Sequence, residues 1–298
     1  MTQAGRSRAT LIGIVAILLW AALALLTATA GALPPFELMA LTFAVAFVSG
    51  FALLSLRGRA ALAEMRQPLA PWLTAFIGIF GYHALYFYAL QTAPVAEASL
   101  VAYLWPLFIV LFSALLPGEG LRARHVIGAV LGFAGTVLII TGRDGGAGGT
   151  GAITGYLAAF ACALTWSGYS VLNRRFEGTP SGMIVGICGA VALAGGVCHL
   201  LFEATVAPDA KQWLAIVALG LGPVGLAFLA WDHATKHGHL PLLGALSYLA
   251  PLISTALLVA TGAAPATITL GLAALLVIGG SLLATGIGGK RAQKPVLE

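Results

Sequence analysis

The sequence predicts an all-α integral membrane protein with ten transmembrane helices, arranged as a five-plus-five inverted repeat with both termini in the cytoplasm. Three observations support this prediction: the apolar composition, ten apolar segments of spanning length, and short motifs that recur once in each half. Apolar residues make up 60% of the 298-residue chain and charged residues 8%, against roughly 45–50% and 25% in soluble domains. Ten spans leave little of the chain for a soluble domain.

A transmembrane helix needs about 20 mostly apolar residues to cross a hydrocarbon core of about 30 Å. We number the predicted spans 1 to 10; they are residues 10–30, 36–56, 71–92, 96–116, 122–141, 151–172, 180–202, 213–236, 240–261 and 266–287. Span 1 also resembles a signal peptide, because Arg6 and Arg8 precede it and Ala28-Thr29-Ala30 has cleavage-site character. Its apolar run exceeds the ~7–15 residues of a signal core, so we interpret it as a span.

Two motifs recur in the halves. Residues Tyr103-Leu104-Trp105-Pro106-Leu107 in span 4 match Tyr248-Leu249-Ala250-Pro251-Leu252 in span 9, 145 positions further on. Trp72-Leu73 and Trp213-Leu214 match in the same way at the starts of spans 3 and 8. Matching order and spacing predict that both halves share one fold.

The repeat divides the chain into an N-terminal half at 1–141, a Gly-rich linker at 142–150 and a C-terminal half at 151–298 that ends in a short basic tail. Each half crosses the membrane five times, an odd number, so the halves insert with opposite orientations. Inverted repeats are typical of secondary transporters, whose substrate site lies between the two repeats.

The basic residues predict the orientation, because cytoplasmic loops collect Lys and Arg. With the N-terminus inside, most of the 15 basic residues fall on the cytoplasmic side. They are Arg6, Arg8, Arg57, Arg59, Arg66, Arg122, Arg124, Arg174, Arg175, Lys236, Lys290, Arg291 and Lys294. Arg143 and Lys211 fall outside. The net charge of +5 is therefore interpreted as a topology signal facing anionic lipid headgroups, not as a nucleic-acid surface.

Aromatic and amphipathic side chains occupy the predicted middle of the membrane. The candidate substrate-binding residues are Trp20, Tyr82, His83, Tyr86, Tyr103, Trp105, Trp166, Tyr169 and Tyr248. Trp and Tyr normally gather at membrane interfaces, and their buried N–H and O–H groups need partners. Either they satisfy one another in a packed core or they line a wet cavity. We predict a cavity that suits an aromatic or apolar substrate with a polar end.

Pro106 and Pro251 lie at matching positions of spans 4 and 9. A proline inside a helix removes a backbone hydrogen bond and kinks the helix. The symmetry predicts paired hinges, with a static kink as the alternative.

Charged residues within a membrane usually mark function, and this chain has few. Glu37 and Glu97 are predicted near the outer ends of spans 2 and 4, and Asp232 near the inner end of span 8. Without a charge near mid-bilayer, we expect an uncoupled or exchange-type carrier. Proton coupling through Asp232 or Glu97 is the alternative.

Other site chemistries are weakly indicated. His233 and His237 lie four apart near Asp232 and His239, but zinc sites usually show further ligands, so we expect neither a metal nor a cofactor. The three cysteines, Cys162, Cys188 and Cys198, lie within spans and are interpreted as packing residues.

An enzyme is not expected. Ser167 and Ser170 lack the Gly-x-Ser-x-Gly elbow of hydrolases, and no pair of aspartates lies in mid-membrane. A non-transporting scaffold would have no evident use for an inverted repeat.

This pattern resembles the drug/metabolite transporter superfamily, EamA-type. The resemblance rests on a Trp late in the first helix of each half, Trp20 and Trp166, and on Pro106 and Pro251 in the fourth. It covers nearly the whole chain. It implies a monomeric, basket-like helix bundle in the bacterial inner membrane, with lipids and a small-molecule substrate as its partners.

Within that superfamily, Tyr82-His83-Ala84-Leu85-Tyr86 and Tyr103-Leu104-Trp105-Pro106 are similar to segments of YddG-type aromatic amino-acid exporters. This implies export of neutral, preferentially aromatic amino acids and related metabolites by alternating access. The alternative is a broader efflux carrier for amphipathic drugs and metabolites, with proton coupling. Many relatives carry a charged residue in their first helices, and this chain has none, which leaves the driving force open.

Overall fold

The computed structural model describes residues 2–93, 98, 101–117, 121–141, 153–260 and 266–285. Across these residues the secondary structure is helical, without a β-strand. Five helices are long and apolar enough to cross a membrane: Gln3–Thr27, Pro35–Leu56, Leu69–Thr92, Met183–Phe202 and Ala210–His237. Because a backbone N–H in hydrocarbon must be satisfied within its own segment, long apolar runs fold as helices.

The remaining spans are shorter or interrupted helices. They are Trp105–Ser113 in span 4, Ala123–Thr141 in span 5, Ile153–Leu172 in span 6, Leu240–Leu246 and Leu249–Ala260 in span 9, and Ile268–Thr285 in span 10. Span 1 is itself divided, into Gln3–Ala21 and Leu23–Ala30. A short helix, Arg59–Ala63, precedes span 3, and a 3₁₀ turn, Asn173–Phe176, ends span 6. The predicted linker and Glu97 lie outside the described residues.

Spans 3 and 8 share an irregularity at matching positions. Each contains a π-helical segment, Ile77–Gly81 in span 3 and Gly220–Leu226 in span 8. In span 8 the cause is Pro223, which has no N–H to donate to the preceding turn. In span 3 a Cβ on Gly78 would lie 2.4 Å from the Tyr169 Cβ, so glycine is needed for span 6 to approach.

Spans 4 and 9 are interrupted just before their prolines. Turns at residues 103–104 and 247–248 are followed by helices that start at Trp105 and Leu249. Pro106 and Pro251 therefore lie in the first turn of a new helix, where the missing N–H costs little. The prediction that these prolines lie in mid-helix is wrong, although the break itself is at the expected place in both halves.

Helix packing follows the same repeat. Span 1 packs on spans 8 and 9, and span 6 packs on spans 3 and 4; span 2 packs on span 7, span 4 on span 9 and span 5 on span 10. Replacing each span by its counterpart in the other half leaves this set unchanged. The contact of spans 5 and 10 depends on small residues, since a Cβ on Gly128 would lie 2.6 Å from the Gly280 carbonyl oxygen.

The bundle has two chemically different ends. Arg57, Arg174 and Lys236 lie at one end, where spans 2, 6 and 8 finish, and we call it the basic end. At the opposite end the Gln212 side chain donates a 3.0 Å hydrogen bond from Nε2 to the Ala30 carbonyl. This bond joins the start of span 8 to the end of span 1.

Candidate functional site

An aromatic cluster occupies the place where spans 1, 2, 3, 4, 6 and 8 meet. Its members are Trp20, Phe43, Tyr82, His83, Trp105, Trp166, Tyr169, Phe228 and Trp231. The Trp166 ring centroid lies 5.6 Å from that of Trp20 and 6.2 Å from that of Trp105, at interplanar angles of 74° and 84°. Such edge-to-face pairs contribute about 0.5–1.5 kcal/mol beyond burial. Tryptophans from both halves therefore hold the centre of the bundle together.

Most of the predicted site residues belong to this arrangement. Trp20, Tyr82, His83, Trp105, Trp166 and Tyr169 are members, and Tyr86 stacks on Tyr82 with ring centroids 5.9 Å apart. Trp105, Trp166 and Tyr169 are at most 7% exposed, whereas Trp20, Tyr82, His83 and Tyr86 are half-buried. The arrangement therefore has a fully buried part and a partly exposed part.

Tyr248 has a different place, where it contacts the backbone of Tyr103. The Tyr248 hydroxyl donates a 3.2 Å hydrogen bond to the Tyr103 carbonyl, and its fully buried ring packs on span 5, where a Cβ on Gly132 would lie 2.6 Å from it. This bond joins the matching turns of spans 4 and 9, outside the aromatic cluster.

Sequence reasoning missed three members of the cluster: Phe43, Phe228 and Trp231. A signal for two of them was present in the repeat. The offset that separates Tyr103 from Tyr248 also pairs His83 with Phe228 and Tyr86 with Trp231. Phe43 of span 2, stacked on Phe228 at 5.7 Å, has no such signal.

Two polar side chains of the cluster are hydrogen-bonded to backbone carbonyls in the π-helical segments. The Trp20 indole N–H donates to the Pro223 carbonyl at 3.0 Å, an acceptor in the π-helical segment of span 8. His83 Nδ1 lies 2.7 Å from the Ile79 carbonyl. Because a carbonyl can only accept, Nδ1 carries the proton, which leaves Nε2 of the neutral ring as an acceptor.

One buried polar group of the cluster has no partner. The Tyr169 hydroxyl makes no hydrogen bond within the described residues. An unsatisfied buried polar group costs about 1–3 kcal/mol. This hydroxyl is therefore available to hydrogen-bond a ligand or water.

A buried ion pair lies next to the cluster at the basic end. Lys236 and Asp232 are both 0% exposed, and Nζ of Lys236 donates to Asp232 Oδ2 at 2.8 Å and to the Thr179 carbonyl at 3.0 Å. Lys236 is the last residue of predicted span 8, and the helix continues to His237. Its side chain forms a buried ion pair at the helix end, which the count of basic residues did not predict.

Glu37, the carboxylate predicted near the outer end of span 2, is held at the opposite end. It is 6% exposed, accepts a 3.0 Å hydrogen bond from the Val206 backbone N–H and lies 4.0 Å from His199 Nε2. Glu203, paired with His199 Nδ1 at 3.0 Å, accepts from the backbone N–H of Phe36 at 2.9 Å. These contacts join spans 2 and 7, which is a structural role for Glu37.

A cleft of about 270 Å³ also opens at the basic end. It is lined by residues of spans 2, 7 and 8, among them Arg57, Glu64, Ser181, Leu229 and His233. None of its lining residues belongs to the aromatic cluster. In the part of the chain that the structure describes, no group of three His, Cys, Asp or Glu side chains could hold a metal ion.

Comparison with known proteins assigns a family. The sequence model of the EamA-like transporter family matches residues 7–141 and, a second time, residues 153–286. The aromatic amino acid exporter YddG of Ancylobacter novellus is 53% identical over 281 residues, which cover 94% of this chain and 98% of that protein. YddG of Escherichia coli K12 is 26% identical over 294 residues, covering 93% and 97%.

A crystal structure of a protein 51% identical in sequence has the same fold. Its TM-score against this chain is 0.89, and the alignment covers 95% of this chain and 99% of the other. The family model spans most of the sequence, and five of the described helices are long and apolar enough to cross a membrane. The chain is a multi-pass membrane protein and belongs to the EamA-like transporter family.

Proposed function

We propose that this protein exports neutral, preferentially aromatic amino acids and related metabolites by alternating access at the aromatic cluster. The observation that carries the proposal is the direct contact of Trp20 with Trp166, which hold matching places in the two halves. The cluster offers π-faces, indole N–H donors and the unsatisfied Tyr169 hydroxyl, without a charged side chain. Relatives named as aromatic amino acid exporters support the same substrate class.

The topology is part of this proposal. Ten spans, the inverted halves 1–141 and 151–298 on either side of the linker 142–150, and cytoplasmic termini fit the repeated packing, the paired π-helical segments and the double family match. The location we propose is the bacterial inner membrane, with the basic end facing the cytoplasm. The protein would act as a monomer surrounded by lipid.

The polar atoms of the cluster suit a zwitterionic substrate. Neutral His83 can accept a hydrogen bond at Nε2 from the substrate ammonium group. The indole N–H groups of Trp105 and Trp166 and the Tyr169 hydroxyl can donate to its carboxylate. The substrate ring would stack on Tyr82 and on Tyr86, which continues that face. Tyr103 and Tyr248 would act through the contact between spans 4 and 9.

The transport is proposed to be uncoupled or exchange-type. Asp232, the carboxylate nearest the cluster, is already neutralised by Lys236, and Glu37 is held by backbone N–H contacts at the opposite end. A free carboxylate that alternates between the two sides is therefore missing from the described part of the path. Pro106 and Pro251, at the matching turns, would be the hinges.

Uptake into proteoliposomes tests the proposal, with labelled tryptophan, phenylalanine, alanine and glutamate, each with and without a pH gradient. We expect saturable uptake that prefers the aromatic substrates and is indifferent to the gradient. Competition by diverse apolar cations would favour the broader efflux carrier, and gradient-driven uptake would favour coupling. No uptake of any of the four would remove the amino-acid assignment.

Two sets of variants locate the site. Trp105→Ala and Tyr82→Ala should lower uptake at least about tenfold, since a lost stacking and hydrogen-bonding partner is worth about 1.4 kcal/mol or more, while the protein still elutes as a folded species. Pro106→Ala and Pro251→Ala should slow uptake more than they weaken substrate binding. Wild-type rates from folded variants of either set would reject the corresponding role.

A further inference from the structure

The helix packing separates the central spans into two groups. Span 1 packs on spans 8 and 9, and span 6 packs on spans 3 and 4. Between the groups, span 4 packs on span 9, and span 6 packs on span 8, mainly through the turn Asn173–Phe176 and the helix Ala227–His237. The Trp166 and Trp231 rings also meet across spans 6 and 8, with centroids 6.2 Å apart. Spans 1 and 3, the matching pair, have no comparable packing among the described residues. The contacts between spans 6 and 8 therefore run from the aromatic cluster to the basic end.

The contact of spans 6 and 8 consists of a polar network around Asp232. Nδ2 of Asn173 donates to Asp232 Oδ1 at 3.0 Å and to the Thr235 hydroxyl at 2.9 Å. The Arg174 guanidinium donates to the carbonyls of Lys236 and Gly238. Each of these bonds joins span 6 to span 8 and would have to break if the two groups moved apart at this end.

Because the network is buried, its hydrogen bonds cannot be exchanged freely for bonds to bulk water. Asn173 is 1% exposed, and Asp232, Thr235 and Lys236 are 0% exposed. A buried polar group that loses its partner must find another one, because its desolvation penalty is otherwise uncompensated. Separation of spans 6 and 8 therefore needs either water entry or a replacement partner for the Asp232 carboxylate.

A replacement partner is available. The Tyr169 hydroxyl, one turn of span 6 before Asn173, is buried without a hydrogen bond to any described residue. The partner of Tyr169 in the cluster, Trp166, has its ring centroid 6.2 Å from that of Trp231, the residue before Asp232. A hydroxyl can donate to a carboxylate oxygen freed by Asn173. Tyr169 also contacts Trp166 at 5.4 Å, so this exchange of partners would reach the proposed substrate site.

We propose that Asn173, Asp232 and Lys236 are positioning residues that close the transport path at the basic end, and that the Tyr169 hydroxyl replaces Asn173 as the Asp232 partner when that end opens. This inference rests on the proposed alternating access but does not depend on which substrate is carried. The network holds the resting state, and the orphaned hydroxyl stabilises the other state.

Electron–electron distance measurements on spin-labelled protein test it without substrate. In a background of Cys162→Ala, Cys188→Ala and Cys198→Ala, one label pair on Arg175→Cys and His237→Cys reports the basic end. A second pair on Thr27→Cys and Gln91→Cys, both exposed, reports the opposite end. Asn173→Ala should raise the long-distance population at the basic end about tenfold, as expected for one lost buried hydrogen bond. The distance at the opposite end should shorten.

Tyr169→Phe should act in the opposite direction and reduce the long-distance population at the basic end. Gln212→Ala is the matched control, since it removes a hydrogen bond at the opposite end and should leave the basic-end distances unchanged. If Asn173→Ala does not fold, Thr235→Val removes one acceptor of the same amide with little change of shape. Distances in folded network variants that equal the parent would overturn the proposal, whereas absent amino-acid uptake would overturn only the substrate assignment.

Discussion

The basic ends of spans 6 and 8 and the opposite ends of spans 1 and 3 are equivalent in the repeat but differ in chemistry. Alignment of spans 1 and 6 on Trp20 and Trp166 pairs Thr27 with Asn173. Alignment of spans 3 and 8 at the offset between Tyr103 and Tyr248 pairs Phe87 with Asp232 and Gln91 with Lys236. The second member of each pair is buried. Thr27 and Gln91 are exposed, and Phe87 is half-buried.

This difference shows how a symmetric fold can have an unequal pair of states. If both halves used the same contacts, the two orientations of the path would be close in free energy. A buried polar network in one copy and exposed residues in the other favour closure at the basic end. The sequence can thus set the resting state without changing the backbone that both halves share.

The largest expected effect comes from removing one charge of the buried pair. Lys236→Met leaves Asp232 buried and unpaired, which should lower the free energy of unfolding by about 3–5 kcal/mol. Gln91→Met, at the matching exposed position, should change it by less than about 0.5 kcal/mol. Thermal unfolding of the detergent-solubilised variants, followed by circular dichroism, measures both.

A double variant separates charge burial from packing. Asp232→Leu combined with Lys236→Met removes both charges and should recover most of the stability lost by the single change. Equal melting temperatures for Lys236→Met and Gln91→Met would show that the two ends do not differ in the way described.

Sequence patterns predicted the apolar segments and most of the aromatic cluster because both depend on residue type and spacing. The polar network depends on whether the side chains at a helix end face the core or the solvent. Asp232 and Lys236 lie four residues apart at the end of an apolar run, where hydropathy cannot tell a solvated loop from a helix end that faces the core. Asn173 is a single polar residue whose partners are about 60 positions away, and nothing local links them.

The repeat contained more information than was used. It predicted matching prolines, and the turns before them occur at matching places. The match of Tyr86 in span 3 with Trp231 in span 8 would also have predicted an aromatic side chain of the cluster at Trp231. The repeat could not predict that Tyr248 bonds to the Tyr103 carbonyl instead of facing the cluster. That outcome depends on Gly132, whose missing side chain leaves room for the ring.

A smaller loss of stability, similar in both halves, is expected from glycines in two matching helix contacts, that of span 1 with span 8 and that of span 6 with span 3. A Cβ on Gly13 of span 1 would lie 2.7 Å from the Ala234 Cβ of span 8. A Cβ on Gly155 of span 6 would lie 2.7 Å from the Ala93 Cβ at the end of span 3. Gly13→Ala and Gly155→Ala should each lower stability by about 1–3 kcal/mol through overpacking.

The control for this pair is Gly168→Ala, where an added Cβ meets open space and should be neutral or stabilising by up to about 1 kcal/mol. Melting temperatures of the three variants decide the point. A loss confined to Gly13→Ala or to Gly155→Ala would mean that the packing of span 1 on span 8 differs from the packing of span 6 on span 3.

The smallest expected effect is a pH dependence confined to the basic end. Burial, and then the neighbouring Arg6 and Arg124, lower the pKa of His239 to about 4, against about 6.5 in an unfolded chain. The neutral ring is the form that fits, because Nδ1 accepts a 3.3 Å hydrogen bond from the Leu242 backbone N–H. Its contribution to stability is therefore complete above pH 6.5 and is lost as the pH falls from 6.5 towards 4.

His239→Asn tests this contribution. Asparagine keeps an acceptor at this N-cap position but does not titrate in that range, so the variant should lose less stability than the parent between pH 6.5 and 4. Melting curves across that interval measure the difference in slope, and a control at pH 8 should show similar stability for both proteins. Parallel slopes would place the pH-sensitive group elsewhere, and the basic end would then differ from the opposite end through its polar network alone.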